Sequence, residues 1–265
     1  MSPIIDTHTH VSPVWYEPVE TLLYQMDRHG VDRAVLIQYN GQFDNDYQAG
    51  CVRRYPDRFY SVVGLDTTRP DAPATLAALA EQGASGVRLR AEVRSPGDDP
   101  LAIWRAAATL ELPISVMGAA AQFASDEFVA LVAALPTATL VIEHLGSVNF
   151  PIDEDKPYLV RRRAFDLARF PNVTMKIPGL GEFCRRPLPV RQPFPLERDD
   201  LAILALALDA FGPDRLMWGS DFPPVCGREG YGNALAWARD AIPADQCAAI
   251  FGGTAARIFG QRGRA

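Results

Sequence analysis

Residues 4–10 read Ile-Ile-Asp-Thr-His-Thr-His, and the fold follows from how that stretch is read. Side chains alternate between the two faces of a strand, so a strand over Ile4–His10 puts Asp6, His8 and His10 on one side and Thr7 and Thr9 on the other. No Gly-rich phosphate turn follows, as a doubly wound nucleotide-binding sheet would require. Instead comes a helical pattern, LLYQMDRHG, closed by Gly30.

That order repeats to the end of the chain. Short β-branched or apolar runs at Ile4–His10, Arg33–Gln38, Phe59–Asp66, Gly86–Glu92, Pro113–Gly118, Thr139–Gly146, Val173–Leu180 and Arg215–Pro223 are each followed by helical spacing. Asp71 ahead of LAALAEQG and Ser125 ahead of FVALVAALP stand where helix starts are expected. About eight β-then-α units predict an α/β fold, a closed (β/α)8 barrel of the TIM type, as a single domain over residues 1–265. The Pro-rich stretch Arg185–Arg198 falls between the seventh strand and its helix and reads as a lid-like loop.

Bulk properties narrow the function. With 265 residues, 48% of them hydrophobic, the chain can bury one large core without disulfides. Cys51, Cys184, Cys226 and Cys247 form no C-x-x-C pair, which argues against a disulfide scaffold or zinc knuckle and for a reducing compartment. The net charge is −6, from 26 basic and 32 acidic residues, with no Lys/Arg block. Neither nucleic acid nor a membrane surface is therefore the expected partner; a small molecule is. The start MSPIIDTHTH lacks a basic, then apolar leader, and no apolar run reaches about 18 residues, so the expectation is a cytoplasmic protein. Oligomeric state leaves no mark in the sequence.

In such a barrel the reacting groups come from the C-terminal ends of the strands. Two imidazoles at i and i+2 can share a divalent ion or together polarise a carbonyl. Of the four histidines, His144 in TLVIEHLG joins this pair at the end of the sixth strand, with Glu143 expected on the opposite face. His29, just before Gly30, reads as a helix C-terminal histidine. Asp221 in RLMWGSDFPP stands where the last strand breaks, as ligand, general base or turn cap. GVRLRAE puts Arg88, Arg90 and Glu92 on one face: a double arginine receptor for a carboxylate, or a set of rim ion pairs. Trp15, Tyr16, Gln38, Tyr39 and Ser147 are secondary lining candidates, and Lys176 receives no chemical role.

These residues resemble the amidohydrolase superfamily, in the branch called amidohydrolase 2, over nearly the whole chain. The likeness lies in IIDTHTH, VIEHLG, MWGSDFPP, REGY at Arg228–Tyr231, and the terminal GTAARIFG, where the family tends to carry Asn-Ala before the Arg. By this resemblance His8 and His10 match the strand-one metal pair, His144 the histidine that contacts a substrate carbonyl or activated water, and Asp221 the strand-eight ligand and proton acceptor. The fifth strand departs from the pattern: PISVMG ends in Met117 and Gly118 where metal-dependent members commonly carry a histidine. The resemblance thus implies either one divalent ion, zinc or manganese, on His8, His10 and Asp221, or metal-free catalysis as in pyrone-dicarboxylate lactonases. The expected activity is hydrolysis of a lactone or related ester of a small, anionic, carboxylate-bearing molecule. Asp221 activates water, His144 with His8 and His10 stabilises the oxyanion, and Arg88 and Arg90 hold the acid group. A metal-dependent non-oxidative decarboxylase, which would release CO2 and lose activity to chelator, and a non-catalytic ligand-binding barrel are the rivals.

Overall fold

The structure, a computed structural model, describes residues 3–149, 152, 154–186 and 201–260. Eight strands, β1 (Ile5–Thr9), β2 (Arg33–Ile37), β3 (Phe59–Val63), β4 (Gly86–Arg90), β5 (Ile114–Met117), β6 (Leu140–Ile142), β7 (Val173–Ile177) and β8 (Leu216–Trp218), pair in sequence order in one sheet. Every pairing is parallel, as connections through helices require. The sheet curls round on itself through a parallel bridge between Thr9 and Phe222. There Asp221 N–H donates to the His8 carbonyl at 2.9 Å and His10 N–H to the Phe222 carbonyl at 2.8 Å. So close an approach needs Gly219, where a Cβ would lie 2.7 Å from that of His8. The (β/α)8 expectation is met.

Alternation along the strands builds two separate apolar layers. Val87 and Leu89 of β4, Ile114 and Val116 of β5, and Val173, Met175 and Ile177 of β7 pack with the surrounding helices. Ile5, Val35, Ile37, Val62, Val141 and Met217 fill the barrel interior, covered by Ile258 and Phe259 of the helix Thr254–Phe259. Above this plug the inward positions turn polar, which fixes the site at the C-terminal mouth.

Three local features depart from a strict alternation reading. Between β1 and β2 the register runs from Asp6 opposite Ala34 to Thr9 opposite Leu36, three steps against two. This bulge resets the faces, so Asp6 does not join His8 and His10. It accepts instead from Ser220 N–H at 2.8 Å and from the Tyr231 hydroxyl at 2.9 Å, on the helix Tyr231–Ala241. β6 stops at Ile142 rather than near Gly146, because His144 and Leu145 adopt φ of 50° and 51°. β8 stops at Trp218, and Asp221 beyond it has φ of 61°. Of the helix starts, Ser125 caps by accepting Phe128 N–H, whereas Asp71 pairs with Arg69 and caps nothing. Residues 187–198 of the lid-like stretch lie outside the described residues. Among the described residues no helix is long and apolar enough to cross a membrane.

Burial pushes the Asp6 carboxyl up from 3.8 to about 6, against its hydrogen bonds from Ser220 and Tyr231. A raised folded-state value means that its stabilising contribution is complete below pH 3.8 and lost as pH rises through about 6. About two units amount to roughly 3 kcal/mol. Asp6→Asn keeps an acceptor for the backbone and a donor for Tyr231, so its stability, followed by denaturant unfolding, should fall less than wild type between pH 4 and 6. Parallel pH profiles for the two proteins would contradict this.

Candidate active site

The barrel mouth is floored by a buried chain of charge. Glu143, with 0% exposure, accepts Arg88 Nε–H at 3.1 Å, Arg88 Nη2–H at 2.7 Å and the Ser115 hydroxyl at 2.7 Å. Lys176, 1% exposed, donates to Ser115 Oγ at 2.9 Å, and its Nζ stands 3.2 Å from His8 Nδ1. Burial opposes the Glu143 charge, but Arg88 and Lys176 outweigh it and hold the carboxyl at about 2. Burial lowers Lys176 to about 8 despite the pull of Glu143.

Above the floor sit the histidines. Burial, reinforced by His144 and Lys176, keeps His8 well below its ordinary value and therefore neutral. His10 Nδ1 donates to the Ile37 carbonyl at 2.7 Å, and its Nε2 faces Asp221 Oδ1 at 3.7 Å. His8 Nε2 lies 4.0 Å from the same oxygen and 3.2 Å from His144 Nε2. His144 Nδ1 donates to Glu182 Oε2 at 3.0 Å. Burial works against the His144 cation, yet Glu182 and Asp221 raise it to about 9. Asp221 is lowered: burial resists its charge, and His10, His144 and Arg228 overcome that resistance. Arg228 Nη1 stands 3.6 Å from Asp221 and 3.8 Å from Glu182, with the rest of its guanidinium tied to Glu229. His144 and Asp221 both hold left-handed backbone, uncommon for residues with a Cβ and a recurrent feature of working sites.

The four residues expected from sequence, His8, His10, His144 and Asp221, thus come together. The expectation for Glu143 is overturned: continuing from the inward Val141, alternation carries Glu143 inward too, and His144 reaches the same side only because its backbone turns left-handed. Both arginines of the expected carboxylate receptor already have carboxylate partners. Arg88 is bound bidentately to Glu143, with Nη1 on the Gln38 carbonyl, while Arg90 pairs with Glu92 at the exposed rim. Both arginines still line a cavity of 170 Å³, together with Gln38, Tyr39, Thr68 and Met117, whose walls include none of the histidines. Tyr16 stacks on His10 at 5.3 Å, Tyr39 meets Tyr16 edge-on at 5.4 Å, and the exposed Trp15 stacks on Tyr39 at 5.9 Å. Ser147 sits in the left-handed turn after β6, and His29 packs near Tyr231, away from the site.

Lys176, Ser115, Glu182 and Arg228 are the members that sequence reasoning missed. Lys176 and Ser115 were findable, since each occupies an inward position between apolar neighbours that face the helices. Glu182 lies in the short turn Leu180–Glu182, where no periodicity marks it.

Ligand atoms of His8, His10 and Asp221 lie within 4.8 Å of one another and could hold a metal ion. His10 is preset for this, because its Nδ1 proton is fixed on Ile37 and Nε2 is left toward Asp221. His8 offers Nε2 to an ion only with its proton on Nδ1.

Imidazoles from β1 and the turn after β6 thus converge with a carboxylate after β8 at the mouth of a parallel barrel, where such folds carry their sites. The chain belongs to the amidohydrolase family, which it matches over residues 5–261. It is 36% identical over 129 residues to an L-fucono-1,5-lactonase of Burkholderia multivorans, a match spanning 45% of this chain and 42% of that relative. With the L-fucono-1,5-lactonase of Burkholderia ambifaria it shares 30% identity over 96% of this chain and 94% of the other. A candidate 2-pyrone-4,6-dicarboxylic acid hydrolase from Pseudomonas putida superposes with a TM-score of 0.76 at 24% identity, covering 98% of both chains. A zinc-bound amidohydrolase from Burkholderia multivorans gives 0.73 at 24% identity, over 98% and 99% of the two chains.

Glu182→Gln keeps the acceptor beside His144 and removes its charge. The His144 pKa, followed by NMR titration, should fall from about 9. An unchanged value would show that Glu182 does not set it.

Proposed function

We propose that the protein hydrolyses a lactone or related ester bearing an acid group. The observation that carries this reading is a carboxylate, Asp221, 3.7 and 4.0 Å from the two imidazoles of one strand, across a volume that a charged third imidazole also faces. Asp221 takes a proton from water, and the resulting hydroxide adds to the carbonyl. The oxyanion is met by His8 and by the positive His144, with His10 alongside. Collapse breaks the ring C–O bond, Asp221 returns its proton to the alkoxide, and a hydroxy acid leaves. The lactonase names of the relatives support this class of reaction.

Arg90 suits the substrate's acid group. Its pairing with Glu92 is 46% exposed on both sides, and surface pairs of this kind are worth about 0–1 kcal/mol, so it can exchange partners. Arg88 backs the pocket wall, since leaving Glu143 would strand a buried charge. A zinc or manganese ion on His8, His10 and Asp221 would supply Lewis acidity at the same carbonyl; the zinc-bound neighbour supports such an occupant.

Asp221→Asn should lower turnover of a lactone panel, read as acid release, by about 10²–10⁴-fold with the fold intact by circular dichroism. Arg90→Ala should mainly raise KM for acid-bearing lactones. Full activity in Asp221→Asn, or release of CO2 in place of acid, would overturn the reading.

A further inference from the structure

We infer that Asn45 is a positioning residue for substrate recognition: its side-chain amide clips the loop after β2 to the end of β3 and so fixes the cavity that takes the acid-bearing arm of the substrate. The clip lies just past Val63, where β3 ends. Asn45 Nδ2–H donates to the Gly64 carbonyl at 2.9 Å, and Asn45 Oδ1 accepts Gly64 N–H at 3.1 Å. One planar amide thus satisfies both backbone groups of Gly64, as a neighbouring strand would. The same Nδ2 also donates to the Phe43 carbonyl at 3.0 Å. Position 64 has no room for a side chain, since a Cβ there would lie 2.6 Å from the Gln42 carbonyl oxygen.

Asn45 stands at the start of the helix Asp46–Arg54, where an asparagine ordinarily accepts a first-turn N–H, yet its side chain makes no such bond. Only its backbone carbonyl serves the helix, accepting Ala49 N–H at 2.9 Å. The amide is committed to the loop instead. At the loop's other end the Gln38 carbonyl accepts Arg88 Nη1–H at 3.1 Å, and the Gln38 side chain donates to the Asp44 carbonyl at 2.7 Å. Between these anchors, residues 39–43 supply one wall of the 170 Å³ cavity, which Arg90 and Thr68 also line. Among the described residues of its walls there is no histidine, so the compartment lies apart from the reacting carbonyl. Its shape bears on binding rather than on bond-breaking.

The inference rests on the reading of the protein as a hydrolase of acid-bearing lactones, and its test separates the two. In the full-length protein, Asn45→Ala removes the clip. Asn45→Ser removes it while keeping a residue suited to a helix start, with a hydroxyl one bond short of the amide. Both variants are assayed on matched pairs of lactones, such as γ-butyrolactone with and without a γ-carboxylate. KM for the acid-bearing member should rise about tenfold, the scale of one to two net hydrogen bonds, with kcat nearly unchanged. KM for the ring without the acid should stay at the wild-type value. Amide hydrogen exchange should accelerate over residues 39–45 and at Gly64 in both variants, with β1 unaffected. An active wild type whose KM values both variants retain, or whose kcat they lower equally for both members of a pair, would overturn the inference and leave the hydrolase reading standing. So would exchange over residues 39–45 as fast in wild type as in the variants. A wild type that turns over no lactone would overturn the hydrolase reading itself, and the inference with it.

Discussion

Glu143 accepts both arms of Arg88 and the Ser115 hydroxyl at the floor of the barrel, and this meeting of charges holds up everything above it. The buried Lys176 and the partly buried Arg88 face one buried carboxylate, whose charge would be costly there without them. Removing one member of such a group typically costs about 3–5 kcal/mol, because a desolvated charge is left behind. The arrangement therefore commits its side chains. Arg88 is held on the wall of the pocket by Glu143, and Lys176 is pinned beneath His8.

A floor made of fixed charges is useful only if the groups above it are equally fixed, and the backbone supplies that. His8 is trapped between β2 and the loop after β8, with its carbonyl accepting Asp221 N–H and Gly219 packed against its Cβ. The same hydrogen bond anchors Asp221 in its left-handed conformation, so carboxylate and imidazole are positioned by one contact. On the far side, the left-handed turn at His144 and Leu145 ends β6 and swings an imidazole inward next to a carboxylate that strand alternation had already placed there. Conformations of this kind cost about 1–3 kcal/mol each and survive only where surrounding structure over-determines them.

This division explains what the sequence disclosed. Hydrophobic period marked all eight strands, and strand-end positions pointed to His8, His10, His144 and Asp221. The bulge in β1 stayed hidden because nothing in IDTHT marks where a register slips, and Asp6 was assigned to the wrong face as a result. Glu143 was misplaced for the converse reason: extending the strand to Gly146 forced an alternation that the backbone abandons at His144. The bond between Arg88 and Glu143 joins residues 55 apart in sequence, and only the ring order of the strands makes them partners. Lys176 was legible in principle, since it shares the inward face of β7 with Thr174 while Val173, Met175 and Ile177 face the helices.

The two histidines of the motif show why a pattern of residue types underdetermines chemistry. His8 and His10 are chemically identical, two positions apart and both nearly buried. Yet the Nδ1 of one meets an ammonium from β7 and that of the other a carbonyl from β2. One Nδ1 thus faces a donor and the other an acceptor. From these different surroundings both rings still reach the same carboxylate oxygen of Asp221, at 4.0 and 3.7 Å.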